Sequence, residues 1–182
     1  MRGLVRVGAA VPSLALGNVK ENMKRHLAMM REAKEKHVSI VTFPELSLTG
    51  YTCGDLFFQR RLLDDVTDAL LALKDEMSEG ILAVVGAPLE IEGALYNCAV
   101  VLHKGEIISA VPKTFLPNNG EFYEKRWFQS GDARRDASVA IPKLKTDVKR
   151  GTACASASSC ARICGRRCRR ARCCPLKARK SS

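Results

Sequence analysis

The chain has 182 residues and a formal net charge of +11, a balance that ordinarily indicates a polyanion-binding protein. That charge is confined to one end of the chain. Residues 1–148 carry all 19 acidic residues and 19 of the 30 basic ones, whereas residues 149–182 carry the other 11 basic residues, no acid and six of the eight cysteines. The composition therefore excludes a basic folded face as the source of the charge. It predicts a folded domain at 1–148 and a disordered basic Cys/Arg-rich tail at 149–182.

Other compositional features limit the class of protein. No run of about 18 apolar residues occurs, so the sequence predicts no membrane partner. The charged N-terminus is typical of a strand rather than a signal peptide. Only Cys53 and Cys98 lie in residues 1–148, which is the cysteine usage of a reduced, cytoplasmic protein.

Hydrophobic periodicity predicts an alternating order of elements in residues 1–148. We expect a strand at 4–10, a helix at 18–36 opened by an Asn18 cap with Glu21, a strand at 38–43, a helix at 62–77 and a strand at 81–85 ended by Gly86 and Pro88. Strands at 94–103 and 106–111 joined at Lys104-Gly105 form a hairpin, and residues 112–131 an ordered loop. This order is typical of an α/β fold with helices covering a mixed sheet.

Two charged residues follow strand and proline, the place where functional side chains often lie. Glu45 comes after Pro44, and a partly desolvated carboxylate there suits general-base chemistry. Lys113 comes after Pro112, and an ammonium group there can stabilise a developing oxyanion. The alternative is that both are solvated charges at strand ends.

Longer segments around these residues carry a resemblance to a known family. They are, in chain order, Phe43-Pro-Glu-Leu-Ser-Leu-Thr-Gly-Tyr51 with Cys53-Gly-Asp-Leu-Phe57, Val85-Gly-Ala-Pro-Leu89, Leu95-Tyr-Asn-Cys-Ala-Val100, and Pro112-Lys-Thr-Phe-Leu-Pro117 with Gly120-Glu-Phe-Tyr-Glu-Lys-Arg-Trp-Phe128. Together they resemble the nitrilase (carbon–nitrogen hydrolase) superfamily, and within it the N-terminal glutaminase domain of bacterial glutamine-dependent NAD synthetases. The resemblance implies a nitrilase-like αββα sandwich, incomplete in this chain.

The resemblance also implies an activity, which is hydrolysis of glutamine to supply ammonia for the ATP-dependent amidation of deamido-NAD. Glu45 would be the base and Lys113 the oxyanion stabiliser of a Glu–Lys–Cys triad. Tyr51, Asn119 and Phe122 would bind substrate, although the family usually has tyrosine at the position of Asn119, and Glu121 would orient the lysine. ATP and magnesium would belong to a synthetase domain that this chain lacks, and the intact family members form homo-oligomers.

The family's nucleophilic cysteine lies in a segment of the type Glu-Leu-Cys-Glu-Asp-Leu-Trp, and no such segment occurs here. Cys164 and Cys168 have the approximate spacing but lie in a run of arginines without a strand or pocket. With suitable synonymous codons, however, the bases encoding residues 158–167 spell Glu-Leu-Cys-Glu-Asp-Leu-Trp-Ala-Pro in a shifted frame. We therefore expect a single frameshift near Val148, with the missing thiol overlapping the codons for Cys160 and Ala161, and an inactive, poorly soluble fragment.

Three alternatives remain. A zinc module is disfavoured because the tail has irregular cysteine spacing and no histidine. A stand-alone nitrilase-type amidohydrolase is disfavoured because residues 120–128 match the synthetase type. A non-enzymatic protein that binds nucleic acid through its tail would do so without specificity, because no aromatic residue is interleaved for base stacking.

Overall fold

The structure, a computed structural model, describes residues 5–77, 80–133, 138–141, 144, 146–149 and 171–177. Its helices and strands are β1 (Val5–Val11), α1 (Val19–Glu35), β2 (Ile40–Thr42), α2 (Arg60–Glu76), β3 (Leu82–Ile91), β4 (Ala94–His103), β5 (Glu106–Pro112), β6 (Ser138–Ile141), β7 (Thr146–Lys149) and β8 (Ala171–Lys177). Short 3₁₀ turns occupy Gly54–Phe58, Glu124–Arg126 and Gly131–Ala133. The predicted order of strand, helix, strand, helix, strand and hairpin is confirmed.

The strands form one mixed sheet in the order β6-β7-β5-β4-β3-β2-β1-β8. β1, β2 and β3 are parallel to one another, and the β3–β4 and β4–β5 pairs are antiparallel. The carboxyl end of β2 lies beside Val84, in the amino-terminal part of β3, and the end of β5 lies beside Cys98, in the amino-terminal half of β4. The residues that follow β2 and β5 therefore lie at the same end of the strands.

The described helices pack on one face of the sheet. Asn18 opens α1 by accepting a 3.1 Å hydrogen bond from the Glu21 backbone, as its capping signature predicts. The buried residues of α1 and α2 join those of the strands in a single core cluster, which includes Met30, Leu70, Val41, Val85 and Leu102. Within the described residues, no helix is long and apolar enough to cross a membrane.

The expectation that Gly86 and Pro88 end the third strand is wrong, since β3 continues to Ile91. β2 pairs with β3 only as far as Val84, whereas β4 pairs along its whole length. Pro88 therefore lies where β3 has a ladder on one side, and the missing backbone N–H of proline is tolerated at such a position.

Apart from Lys149, which ends β7, the tail contributes one described segment. β8 pairs in parallel with β1, from Val5 opposite Ala171 to Val11 opposite Lys177. The backbone N–H and C=O groups of an outer strand can pair with another strand whatever the side chains of that strand are. Pro175 is tolerated in β8 because an edge strand needs backbone N–H donors on one side only. The tail was expected to be disordered, and the structure instead has a strand at 171–177. Residues 150–170 and 178–182 lie outside the described residues.

Candidate functional site

Glu45 lies in a tight, buried turn that follows β2, which we call the glutamate turn (residues 44–50). The turn closes on itself through hydrogen bonds from the Thr49 and Gly50 amides to the Leu46 carbonyl, at 3.1 and 2.8 Å. Leu46 to Gly50 are buried, whereas the Glu45 side chain is 24% exposed. The turn therefore fixes the backbone at Glu45 and leaves its carboxylate at the surface of the site.

Lys113 reaches the same place from the end of β5. Its backbone amide donates to the Asn97 carbonyl at 2.7 Å, and its own carbonyl accepts from the Gly131 amide at 2.9 Å. Its ammonium group donates to Oε1 of Glu45 at 2.7 Å. The Asn97 side chain also donates to Oε1 of Glu45. The two residues predicted from the sequence are therefore brought together, with Asn97 between their strands.

A second carboxylate lies against the lysine, and it is Glu124 rather than Glu121. Lys113 Nζ donates to Oε1 of Glu124 at 2.8 Å, and the Tyr51 hydroxyl donates to the same oxygen at 2.6 Å. Glu124 is buried and begins a 3₁₀ turn, whereas Glu121 is exposed on the preceding loop. The expectation for Glu121 is corrected because the loop turns inward only at Glu124.

The electrostatics follow from this arrangement. Burial lowers the pKa of Lys113, but hydrogen bonds to Glu124 and Glu45 outweigh that effect and hold the pKa above its ordinary value. Burial is the larger cause, and the hydrogen bond to Glu124 the second, that raise the pKa of the Tyr51 phenol well above its ordinary value. Lys113 is thus a fixed ammonium and Tyr51 a fixed hydrogen-bond donor.

The residues predicted to bind substrate lie beside this cluster. The Tyr51 and Phe122 rings meet edge to face with centroids 6.3 Å apart. Asn119 is exposed, and its carbonyl accepts from the Phe122 amide at 3.1 Å, which closes the loop. The structure brings Tyr51 and Phe122 together, while substrate binding by Tyr51, Asn119 and Phe122 stays a prediction.

The described cysteine side chains are not arranged as nucleophiles. Cys53 and Cys98 are both buried. Cys53 donates to the Thr49 carbonyl at 3.1 Å, and burial raises its pKa, which favours the unreactive thiol. Cys160, Cys164 and Cys168 lie outside the described residues. Among the described residues, no group of three or more His, Cys, Asp or Glu side chains is placed to hold a metal ion.

Sequence reasoning missed Asn97 and Glu124 as site residues. Asn97 is 1% exposed in the middle of an apolar strand, and a buried polar residue in such a run is a signal for a specific hydrogen bond. Glu124 had no comparable signal in the sequence. Glu121 and Glu124 lie in the same loop, and only the folded conformation of the loop shows that Glu124 is the buried one.

The sequence has counterparts among known proteins. The family model described as carbon-nitrogen hydrolase matches residues 6–164. Over 134 residues the chain is 41% identical to the glutamine-dependent NAD(+) synthetase of Mycobacterium tuberculosis, and over 130 residues it is 33% identical to that of Xylella fastidiosa. These matches cover 73% and 71% of this chain but 20% and 24% of those proteins. The chain thus spans about a fifth to a quarter of the length of the curated relatives.

Solved structures agree on the fold. A glutamine-dependent NAD(+) synthetase from Cytophaga hutchinsonii matches with a TM-score of 0.73 and 28% identity, over 80% of this chain and 25% of that one. An amidase from Nesterenkonia sp. matches with a TM-score of 0.62 and 16% identity, over 82% of this chain and 55% of that one, which is a likeness of fold alone. The expected nitrilase-like α/β fold is confirmed. Because that family model matches well over half of the chain, the chain belongs to the carbon-nitrogen hydrolase family.

Proposed function

We propose that residues 5–133 hold the base and the oxyanion stabiliser of a glutaminase that serves NAD synthesis, and that the nucleophile is missing from the chain. The observation that carries the proposal is the Lys113 ammonium held between two carboxylates, 2.7 Å from Glu45 and 2.8 Å from Glu124. The substrate class comes from the synthetase relatives, which are named for their dependence on glutamine.

The geometry supports separate chemical roles for Glu45 and Lys113. Glu45 is half-buried and its carboxylate faces the site, so it would accept the proton of an incoming thiol as the sulfur attacks the side-chain amide carbon of glutamine. Lys113 would stabilise the oxyanion that forms on the amide oxygen. The same proton would leave with ammonia, and Glu45 would then activate the water that hydrolyses the thioester to glutamate.

Two residues hold the reacting pair in place. Asn97 hydrogen-bonds Oε1 of Glu45, and Glu124 fixes Lys113 from its other side. Lys113 therefore lies between two carboxylates, 2.7 Å from Glu45 and 2.8 Å from Glu124. Tyr51, Asn119 and Phe122 would line the glutamine pocket next to this cluster.

The missing nucleophile is assigned to a displaced reading frame. Residues 158–167 are compatible with codons that spell Glu-Leu-Cys-Glu-Asp-Leu-Trp-Ala-Pro in a shifted frame, and the composition changes abruptly after Val148. We infer that the chain itself does not hydrolyse glutamine. Synthesis of NAD, with the ATP and magnesium it implies, is assigned to the larger part of the relatives that this chain does not cover.

A chimera tests the proposal. Residues 149–182 are replaced by the part of the Mycobacterium tuberculosis synthetase that follows the matched segment, and ammonia release from glutamine is measured. We expect hydrolysis by the chimera and none by the natural chain. In the chimera, Glu45→Gln should lower kcat by about 10²-fold or more, while the exposed control Glu106→Gln should not change it. A folded chimera in which Glu45→Gln retains full activity would overturn the proposal.

A further inference from the structure

Gly86 of β3 lies directly beneath the glutamate turn. A Cβ atom built on Gly86 would lie 2.4 Å from the Leu46 nitrogen, 2.4 Å from the Pro44 oxygen and 2.8 Å from the carbonyl carbon of Glu45. Real Cβ atoms do not approach other atoms within 3.0 Å. All three neighbours are main-chain atoms, so none of them can rotate out of the way as the end of a side chain can.

The need for glycine at this position is steric. Gly86 is absent from the residues with positive φ, so its backbone conformation is open to any residue. The Gly86 carbonyl also accepts a hydrogen bond from the Leu48 amide at 3.2 Å, which ties the turn to the strand. Because Gly86 has no side chain, the backbone of β3 and the backbone of residues 44–46 can lie in contact.

The glutamate turn is also held by α1. Asn22 donates to the Leu48 carbonyl at 3.0 Å, and Nε2 of His26 lies 2.9 Å from the Ser47 hydroxyl. Leu46 has φ of +50°, a strained value for a residue with a branched side chain. A group inserted from β3 therefore meets a turn that is already fixed at its far end, and residues 44–46 take up the displacement.

We propose that Gly86 is a positioning residue for Glu45, because it allows the backbone of residues 44–46 to rest on β3 and so sets the distance between the Glu45 carboxylate and Lys113. Widening the 2.4 Å contacts to an ordinary 3.4 Å moves the turn by about 1 Å. A shift of that size breaks a 2.7 Å hydrogen bond. The catalytic meaning of that distance rests on the proposed function, whereas the positional effect does not.

The test compares Gly86→Ala with Ala87→Gly, a neighbouring change in the same strand. Ala87 is fully buried, so removing its methyl group destabilises β3 without inserting an atom under the turn. The readout is the NMR resonance of the Lys113 ammonium nitrogen, with Glu45→Gln as the reference for loss of the pair. Gly86→Ala should move that resonance to the Glu45→Gln position, and Ala87→Gly should leave it at the wild-type position.

Folding and function are separated from positioning in this design. If Gly86→Ala is unfolded in buffer, its spectrum is recorded in trimethylamine N-oxide, which favours the compact state. A folded Gly86→Ala protein with the wild-type Lys113 resonance would overturn the proposal, as would failure to fold in the osmolyte when Ala87→Gly folds. An inactive glutaminase chimera would sink the proposed function and leave this result unchanged.

Discussion

The Lys113 ammonium group donates a 2.8 Å hydrogen bond to a carboxylate oxygen of Glu124, the most deeply buried acid near the site. The same oxygen accepts from Tyr51, and the second oxygen, Oε2, has no hydrogen-bond partner among the described protein atoms. Glu124 is thus engaged by Lys113 and Tyr51, whereas Glu45, to which the proposed function gives the role of base, is the more exposed of the two carboxylates.

Glu124→Gln should destabilise the protein by about 2 kcal/mol or more, because it removes a buried charge that Lys113 and Tyr51 both solvate. The measurement is the free energy of unfolding in urea. Glu121→Gln on the exposed part of the same loop is the matched control and should change it by less than about 0.5 kcal/mol. Equal effects of the two substitutions would contradict the buried ion pair between Glu124 and Lys113.

Tyr51→Phe should cost about 1 kcal/mol, the typical net value of one hydrogen bond. It should also remove the tyrosine that resists ionisation, since burial and Glu124 hold the pKa of Tyr51 well above 10. An ultraviolet titration that follows the phenolate absorbance checks this. The wild type and Tyr51→Phe should gain the same phenolate absorbance through the pH range in which an ordinary phenol ionises. A difference that develops near pH 10 would show that Tyr51 does not bond to Glu124.

His26 should make stability depend on pH between 6.5 and about 4. Burial lowers its pKa from 6.5 to about 4, partly offset by its hydrogen bond with the Asn22 carbonyl. Below pH 6.5 the unfolded chain binds a proton that folded His26 does not, so the free energy of unfolding falls by about 3 kcal/mol by pH 4. His26→Gln should remove this part of the slope.

The control for that experiment is His37→Asn, at an exposed position with φ of +53° that asparagine tolerates. It should keep the wild-type pH dependence, measured by urea unfolding at several pH values. Parallel slopes for wild type and His26→Gln would mean that His26 is protonated in the folded protein, contrary to its burial between Phe43 and Ser47.

The meeting of Glu45 and Lys113 was expected from the sequence, because each follows a β-strand and a proline and because the segments around them resemble carbon–nitrogen hydrolases. Their chemical roles stay predictions. The order of the strands followed from periodicity. Asn97 required knowledge of which strand face meets Glu45, and Glu124 required the path of a loop. The length of β3 depended on its pairing with β4 out to Ile91, a tertiary contact that Pro88 alone does not reveal.

The coding DNA across residues 141–182 tests the central claim most directly, namely that a glutaminase half-site has lost its nucleophile to a shifted frame. We expect one inserted or deleted base near the codon for Val148, after which the shifted frame reads Glu-Leu-Cys-Glu-Asp-Leu-Trp across the codons for residues 158–165. A sequence in which no shifted frame spells that segment would contradict the account, and the cysteines and arginines of the tail would then be features of the protein in their own right.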